Sequence, residues 1–408
     1  MAENTLVITA DDVSSAAKKI KGHIEHTQTK QSKTLSQIVG ADIFLKFEIF
    51  QFTAAYKERG ALNRLLALSP EEKKNGVIAM SAGNHAQGVS YHATRLGIPA
   101  TIVMPFGTPF NKVKRTEELG ADVVLAGNVL EEATAEAMRL SEEKGYTFLH
   151  PFDDPLVIAG QGTVAQEMLE DIPDLDTLLI PIGGGGLISG MAVAAKAVNP
   201  NIKIIGVQTE SFPSMKNAMD GSTHTFDSPT IAEGIAVKTP GTYTQAVVKK
   251  LVDDILIIPE TRIEEAIVLM MEIEKVVVEG AGATGLAALM EFPEKFKGRK
   301  VGMVLTGGNI DSRLLASAIM RGMARDGRLS RLRVTMLDVP GSLAKVSEVV
   351  ANVGANVLEL RHQREFGAVS LKMTEMEMVI EAKDKAHADL VVVQLEEAGF
   401  IVSEAKTV

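Results

Sequence analysis

The feature that most constrains the fold of this chain is a repeated alternation of short β-branched runs with helical stretches. The run GVIAM (76–80) precedes AGNHAQGVSYHATRLG, and ATIVMP (100–105) precedes NKVKRTEELG. Further runs of the same kind are ADVVLA (121–126), TLLIPI (177–182), IKIIGVQT (202–209), DILIIP (254–259) and KVGMVLTGG (300–308). This alternation predicts an α/β fold with parallel sheets, and the unbroken apolar runs indicate strands that are covered on both faces.

The composition fits this fold class and argues against several functions. The 408 residues are 46% hydrophobic and only 4% aromatic, with 35 glycines, which suits close packing of helices on sheets. The formal net charge is −10 and no basic stripe with interleaved aromatics is present, so we expect no nucleic-acid partner. No stretch is long and apolar enough for a membrane span, the N-terminus lacks a signal-peptide pattern, and there is no cysteine. We therefore expect a cytoplasmic protein with no membrane association.

The pattern changes near residue 326. The stretch ARDGRLSRLRVT is basic and contains Gly327, and we interpret residues 321–330 as a linker. Beyond it, the chain predicts strand, helix, strand, strand, helix and strand in turn, in the segments RLRVTMLDV, GSLAKVSEVVANVG, ANVLELRHQRE, AVSLKMTEMEMVIEAK, AHADLVVVQLEEAG and FIVSEA. This βαββαβ order is the ferredoxin-like arrangement. The sequence therefore predicts a main domain at 1–320 and a smaller domain at 331–408.

Four consecutive glycines, Gly183 to Gly186, follow an apolar strand in PIGGGGLISG and begin a helix of small residues. Glycine allows backbone N–H groups to approach an anion closely, and the helix N-terminus adds positive potential. A phosphate is the natural ligand, and the alternative is a tight turn, for which two glycines would suffice. The stretch matches neither the dinucleotide-binding fingerprint nor the P-loop.

Two further strand ends carry polar residues. SAGNHAQG (81–88) follows GVIAM, so its polar side chains lie at a strand-to-helix turn whose free N–H groups can hold a carboxylate. The alternative for this turn is an asparagine helix cap with an incidental histidine. VLTGGN (304–309) places Thr306 at another strand end, either as a hydrogen-bonding residue of a site or as a strand terminator.

Lys57 lies in the stretch QFTAAYKERGALNRL, which reads as the start of a buried helix. It is either a solvated helix lysine or an amine that burial activates by lowering its pKa. Pyridoxal phosphate needs a phosphate site, an amine and a partner for its ring nitrogen. A lysine combined with these glycine-rich turns matches that set of requirements.

Several stretches together, in this order and spacing, closely resemble the threonine dehydratases (threonine ammonia-lyases). They are TAAYKERGA, SAGNHAQGV, HPFDDPLVIAGQGT, IGGGGLISG, EGIAVKTPG, EGAGA and LTGGN. The resemblance covers roughly residues 5–320. It implies the tryptophan-synthase-β-like fold of pyridoxal phosphate enzymes (fold type II), in which a small lobe at about 50–152 is inserted in a large lobe. It also implies pyridoxal 5′-phosphate as cofactor and a homotetramer or homodimer.

The resemblance implies a role for individual residues. Lys57 would form the Schiff base with the cofactor and remove the substrate α-proton, with Tyr56 beside it, and Asn84 would contact the ring hydroxyl. Thr306 would face the ring nitrogen, where a hydroxyl leaves the ring closer to neutral than an aspartate would and favours loss of a β-substituent. The phosphate would bind to Gly183, Gly184, Gly185, Gly186 and Leu187. The substrate carboxylate would bind to Ser81, Ala82, Gly83, Asn84 and His85.

The implied reaction is α,β-elimination of the hydroxyl of L-threonine, which yields 2-oxobutanoate and ammonia, with L-serine as a second substrate. Serine racemases are similar but carry a second serine where this chain has Ala82, so we expect elimination rather than racemisation. Racemases also place a divalent-cation ligand where this chain has Gln208, so we predict no metal. The alternatives are an L-serine dehydratase, a racemase or a β-replacement synthase of the same fold, or a non-catalytic amino-acid sensor.

The segment LDVPGSLAKVSEVVANVGANVLEL (337–360) resembles an ACT domain, a module that often binds amino acids. Asp338, Pro340 and Gly341 form the strand-to-helix turn where such a ligand docks. The resemblance implies allosteric control by an amino-acid effector such as isoleucine. The alternative is that this segment only builds the oligomer.

Overall fold

The computed structural model describes residues 6–223, 228–363 and 369–404. Positions 364, 365, 368 and 405, which the sequence assigns to strands, lie outside the described residues. The chain divides into two compact units, Met1–Asp311 and Ser312–Val408. The domain limits that the sequence places at 320 and 331 stay a prediction.

The N-terminal unit alternates strands and helices along the chain. Its strands in the described residues are β1 Thr29–Ser32, β2 Asp42–Lys46, β3 Val77–Met80, β4 Ala100–Met104, β5 Asp122–Leu125, β6 Thr147–Phe148, β7 Thr177–Pro181, β8 Lys203–Thr209, β9 Asp254–Ile258 and β10 Lys300–Val304. Its α-helices there are α1 Ala10–Ile20, α2 Lys33–Val39, α3 Lys57–Leu66, α4 Pro70–Asn75, α5 Asn84–Arg95, α6 Phe110–Glu118, α7 Leu130–Lys144, α8 Pro155–Asp171, α9 Gly186–Val198, α10 Ser214–Asp220, α11 Thr242–Leu251, α12 Glu260–Leu269, α13 Gly280–Glu291 and α14 Pro293–Phe296. Short 3₁₀ or π turns lie at Glu48–Phe50, Glu233–Ile235 and Met270–Glu274.

The strands of the N-terminal unit form two sheets. The larger has the order β1-β2-β10-β7-β8-β9 and the smaller β5-β4-β3-β6. All pairings are parallel except that of β1 with β2, which adds an antiparallel strand at one edge. Because β3 to β6 fall between β2 and β7 in the chain, the smaller sheet is an insertion in the larger one. The prediction of a two-lobed α/β unit is confirmed.

The strand order places the predicted site residues at the carboxyl ends of strands in the two sheets. β10 pairs with β2 on one side and with β7 on the other, so segments far apart in the chain become neighbours. The four glycines follow β7 and Thr306 follows β10, whereas residues 81–85 follow β3 of the smaller sheet. Ligands of open α/β sheets bind beyond the carboxyl ends of the strands where the order changes.

Small residues let the covering helices approach each other closely. A Cβ added to Gly190 of α9 would lie 2.2 Å from the Ile158 carbonyl oxygen of α8, and one added to Gly162 would lie 2.7 Å from the Gly190 carbonyl oxygen. The helices are therefore in backbone contact, as the glycine-rich composition suggests. No helix in the described part of the chain is long and apolar enough to cross a membrane.

The C-terminal unit forms an antiparallel sheet of order β12-β13-β11-β14. Its elements are α15 Ser312–Arg325, β11 Leu329–Leu337, α16 Ser342–Val353, β12 Asn356–Gln363, β13 Met373–Glu381, α17 Lys385–Glu397 and β14 Ile401–Glu404. From β11 onward the order is βαββαβ, as predicted. Buried Met376 and Met378 alternate along β13 with half-buried residues, as expected for a strand that covers a core on one face.

Candidate active site

A cavity of about 500 Å³ lies in the N-terminal unit. Every residue that the sequence assigned to the site lines it, and these residues come from the start of α3 and from the ends of three strands. They are Tyr56, Lys57, Ser81, Ala82, Gly83, Asn84, His85, Gly183, Gly184, Gly185, Gly186, Leu187 and Thr306. The fold thus brings the motifs from both sheets to one place.

The Lys57 amine lies in this cavity at the first residue of α3. Its Nζ donates a hydrogen bond to the Pro151 carbonyl oxygen at 2.8 Å and lies 5.4 Å from the centroid of the Tyr56 ring. Burial lowers the pKa of Lys57 to about 8, although the nearby Glu279 carboxylate acts in the opposite direction. A substantial fraction of this amine is therefore neutral near pH 8, as a nucleophile or base requires.

Arg59, the second cation of the same stretch, anchors α3 rather than lining the cavity. It is fully buried, and its guanidinium donates to both carboxylate oxygens of Glu48 and both of Glu167 at 2.7 to 2.8 Å. Paired bidentate contacts of this kind hold a side chain in one geometry. Arg59 thereby fixes the helix whose first residue is Lys57.

The loop needs glycine for two structural reasons that the sequence did not reveal, a left-handed backbone conformation and close packing on a neighbouring side chain. Gly185 has φ of +98°, the left-handed region, where α9 begins. A Cβ on Gly184 would lie 2.3 Å from the Phe152 ring, and one on Gly186 would lie 2.9 Å from the Phe152 carbonyl oxygen. The loop therefore packs on Phe152 on one side. The first amides of α9 have no acceptor within the helix, so they are available to an anion in the cavity.

The Asn84 side chain is held at both ends. Its Nδ2 donates to Glu279 Oε1 at 2.7 Å, and its Oδ1 accepts from Asn309 Nδ2 at 2.8 Å. The residue that caps α5 is Gly83, with no side-chain hydrogen bond, so the alternative interpretation of Asn84 as a helix cap is wrong.

The histidine of this turn is neutral. His85 Nε2 lies 3.1 Å from the Leu149 carbonyl oxygen, which can only accept, so Nε2 carries the proton. Burial lowers the pKa of His85 to about 3, and its Nδ1 is buried with no hydrogen-bond partner. The imidazole therefore offers no positive charge to a carboxylate. The amides at the start of α5 and the Ser81 hydroxyl, which accepts from Gly83 N at 3.2 Å, are the remaining polar groups of this turn.

Thr306 supplies a buried hydroxyl without a partner. Its Oγ1 makes no hydrogen bond, while its carbonyl oxygen accepts from Tyr56 N at 3.1 Å. A buried polar atom left unpaired costs free energy unless a ligand satisfies it. Together with free amides at the glycine loop and the Lys57 amine of lowered pKa, this hydroxyl fits a group that carries a phosphate, a carbonyl carbon and a ring nitrogen. Pyridoxal phosphate has these three features.

Four residues of this region carry no predicted role although they lie in the motifs HPFDDP, EGAGA and LTGGN: Phe152, Asp153, Glu279 and Asn309. Phe152 packs on the glycine loop, and Asp153 accepts from the Thr242 and Tyr243 amides at 2.9 Å where α11 begins. The Glu279 side chain enters the cavity, and burial raises its pKa to about 7. Composition and periodicity carry no signal for such contacts, because the partners lie far apart in the chain.

Gln208, at the position where a racemase cation ligand is expected, uses both ends of its side-chain amide within the protein. Its Nε2 donates to the Ile182 carbonyl oxygen at 3.2 Å, and its Oε1 accepts from Lys216 N at 2.9 Å. Within residues 6–223, 228–363 and 369–404, no group of three or more histidine, cysteine, aspartate or glutamate side chains is arranged to hold a metal.

Comparison with known proteins places the chain in a family. Residues 20–307 match the family model described as pyridoxal-phosphate dependent enzyme. An L-threonine ammonia-lyase of Thermotoga maritima is 44% identical over 94% of this chain and 96% of its own length, and one of Geobacter sulfurreducens is 40% identical over 98% and 99%. The structure of maize serine racemase is 36% identical, with a TM-score of 0.73 over 78% of this chain and 99% of its own. This chain therefore belongs to the pyridoxal-phosphate dependent enzymes.

Proposed function

We propose that this protein is an L-threonine ammonia-lyase, which converts L-threonine into 2-oxobutanoate and ammonia with pyridoxal phosphate as cofactor. The observation that carries the proposal is the Lys57 amine, whose pKa is lowered to about 8 in the cavity that the glycine loop also lines. The two bacterial relatives named L-threonine ammonia-lyase support it, because they align with this chain over nearly their whole length.

The residues of the cavity would hold the cofactor at four points. The Lys57 amine would bond to its aldehyde carbon, and the amides of Gly184 to Leu187 would bind its phosphate. Asn84 Nδ2 would donate to the ring hydroxyl, and Thr306 Oγ1 would hydrogen-bond to the ring nitrogen. When bound, pyridoxal phosphate supplies a conjugated ring that withdraws electrons from the substrate α-carbon. A hydroxyl at the ring nitrogen, in place of a carboxylate, favours prompt departure of the β-hydroxyl.

The chain's own groups then bind and deprotonate the substrate. The amides of Asn84, His85 and Ala86 begin α5 and would bind the substrate carboxylate, because they have no acceptor within the helix. The substrate amine would take the place of Lys57 on the cofactor, and the freed Lys57 amine would remove the α-proton. The Pro151 carbonyl oxygen would orient that amine through the 2.8 Å hydrogen bond. Loss of the α-proton and the β-hydroxyl removes one water, and hydrolysis of the released four-carbon enamine consumes one, so the net products are 2-oxobutanoate and ammonia.

Racemisation is the second candidate, favoured by the 36% identity with maize serine racemase. It requires a proton donor on the face of the substrate opposite the lysine. Ala82 lines the cavity in the turn where racemases carry a second serine, and its methyl group cannot donate a proton. We infer that elimination is the main reaction.

The test of the proposed function is release of keto acid by the purified protein from L-threonine, with L-serine in a parallel reaction. We expect rapid formation of 2-oxobutanoate and slower formation of pyruvate. One methyl group separates these substrates and is worth about 1–3 kcal/mol in a pocket. Pyruvate without 2-oxobutanoate would make the protein a serine-directed enzyme, and neither product would favour an amino-acid sensor.

We further infer that the C-terminal unit binds an amino-acid effector. Gly341 has φ of +93° at the start of α16, so the turn between β11 and α16 adopts a backbone conformation that favours glycine. Ser342 N donates to the Val339 carbonyl oxygen at 3.3 Å, and the next amides of α16 have no acceptor within the helix, so they would bind the effector carboxylate. An oligomer and a cytoplasmic location remain part of the same proposal, the latter supported by the absence of cysteine.

A further inference from the structure

The motif EGAGA places a carboxylate in the cavity that the proposed reaction does not use. Glu279 precedes α13 directly, yet its side chain makes no capping hydrogen bond to that helix. Instead, Oε1 accepts from Asn84 Nδ2 at 2.7 Å. The backbone holds the residue in place, because Glu279 N donates to the Gly307 carbonyl oxygen at 2.9 Å.

Glycines leave the room that this carboxylate occupies. A Cβ on Gly307 would lie 2.5 Å from Glu279 Oε1 and 3.0 Å from Asn84 Nδ2. A Cβ on Gly234 would lie 3.2 Å from the same Glu279 oxygen. Two separate segments therefore have glycine beside the Glu279 carboxylate, where a side chain would collide with it. This indicates that the contact between Glu279 and Asn84 is a specific feature of the fold.

The chain of hydrogen bonds determines which way the Asn84 amide points. Asn309 Nδ2 donates both to the Thr53 carbonyl oxygen and to Asn84 Oδ1, each at 2.8 Å. A backbone carbonyl at one end and an ionised carboxylate at the other can only accept. Flipping the Asn84 amide would set nitrogen against nitrogen and oxygen against oxygen. The observed orientation uses Oδ1 and one N–H, which leaves the second Nδ2 hydrogen free to donate to a ligand.

We propose that Glu279 is a positioning residue, whose carboxylate orients the Asn84 amide so that its second N–H donates to the ring hydroxyl of the cofactor. This inference rests on the proposed function only through the role of Asn84 at the cofactor ring. Glu279 itself acts through Asn84.

The charge of Glu279 depends on the groups around it. Burial raises the pKa of Glu279 to about 7, the Asn84 hydrogen bond and the Lys112 and Lys57 charges lower it, and the Glu233 charge raises it. The Glu279 charge also raises the pKa of the Tyr56 phenol. As the pH falls through about 7, Glu279 gains a proton, and its carboxyl group can then donate a hydrogen bond as well as accept one. The orientation of Asn84 is then less constrained, so cofactor affinity is expected to fall in that range.

The test is a double-mutant cycle on the Kd for pyridoxal phosphate, measured by absorbance titration of the full-length chain freed of cofactor. The four proteins are the unchanged chain, Glu279→Gln, Asn84→Ala and the double variant. We expect Glu279→Gln to weaken binding about tenfold when Asn84 is present, because a hydrogen bond to a charged group is lost. In the Asn84→Ala background it is expected to have no effect at a pH well above 8, where Lys57 is neutral in all four proteins. All four proteins should lose affinity as the pH falls from 8 to 6, because Lys57 gains a proton in each, and the unchanged chain should lose the most.

Several outcomes would overturn the proposal. Equal effects of Glu279→Gln with and without Asn84 would mean that Glu279 acts independently of Asn84, and an unchanged Kd would mean that it does not act at all. Should Glu279→Gln fail to fold by circular dichroism, Asn309→Ser, which removes the other anchor of the amide, must weaken cofactor binding only when Asn84 is present. Glu210→Gln, on an exposed carboxylate of the same unit, is the matched control. The cycle measures cofactor affinity and not turnover. A protein that does not turn over threonine would therefore overturn the proposed function, whereas the result of the cycle would still decide the role of Glu279.

Discussion

The Lys57 amine illustrates how its surroundings determine its chemistry. Burial disfavours its charged form more than the Glu279 carboxylate restores it, so the pKa falls from its ordinary value to about 8. A lysine on a solvated helix face would remain charged at that pH. The local sequence alone does not distinguish these two possibilities, because burial depends on contacts such as that with Pro151, which lies far away in the chain.

Capture of pyridoxal phosphate by the cofactor-free chain is therefore expected to accelerate as the pH rises through about 8 and then to level off. The neutral fraction of Lys57 increases over that range, and only the neutral amine attacks the aldehyde. Stopped-flow absorbance measures the rate. Glu279→Gln should shift the midpoint to lower pH, because the Glu279 charge raises the pKa of Lys57. A rate that does not change between pH 6.5 and 9.5 would contradict this role of burial.

Thr306 offers a matched pair of substitutions. Thr306→Ser keeps the hydroxyl and is expected to bind pyridoxal phosphate and turn over threonine almost normally. Thr306→Val keeps the shape but removes the Oγ1 atom that is buried without a partner, so a cofactor ring nitrogen would lose its hydrogen bond. We expect about a tenfold lower kcat for the valine variant. Equal kcat values for both variants would show that the Thr306 hydroxyl does not contribute through a hydrogen bond to the ring nitrogen.

At the scale of elements, the glycine loop has a packing role as well as a binding role. The sequence predicted a phosphate site from four glycines in a row, but not that Phe152 packs on them. Phe152 lies in the segment that leads into α8, whereas the loop leads into α9. Pattern reasoning detects what a single segment can do, and contacts between segments follow from the fold. The sequence predicted the apolar strands β8 and β10. It did not predict β6, because that strand has only two residues and gains its place by pairing with β3.

Gly184→Ala tests this packing directly. The added methyl would lie 2.3 Å from the Phe152 ring, so the loop or the ring must shift and the phosphate amides lose their alignment. We expect a large rise in the Kd for pyridoxal phosphate, measured by absorbance titration. Gly107→Ala, where a Cβ would meet nothing within 4 Å, serves as control and should bind normally. Normal binding by Gly184→Ala would show that the loop adapts without loss of function.

At the scale of the whole molecule, the alternation of strands and helices predicted the parallel α/β sheets and the βαββαβ unit, whereas the two-lobed arrangement was implied by the resemblance to threonine dehydratases. The antiparallel strand β1 was not predicted, since its four residues, Thr29–Ser32, are short and polar and gain their place only by pairing with β2. The chain divides into two units, and the proposed effector would bind to the C-terminal one.

L-isoleucine is the first effector to examine. If the C-terminal unit senses it, isoleucine should change the dependence of rate on threonine concentration and bind in calorimetry. Gly341→Val should abolish both effects while leaving activity without isoleucine intact, because a β-branched residue at φ of +93° is strained by about 1–3 kcal/mol. Absence of binding and of any kinetic change would leave the unit with a structural role.

The most direct measurement is 2-oxobutanoate release from L-threonine by the unchanged protein and by Lys57→Ala, with the cofactor absorbance of each recorded in parallel. The account predicts turnover and a bound-cofactor band for the unchanged protein, and neither for the variant, because the amine that bonds the cofactor and removes the α-proton is gone. Substantial turnover by Lys57→Ala would contradict the assignment of Lys57 as that amine.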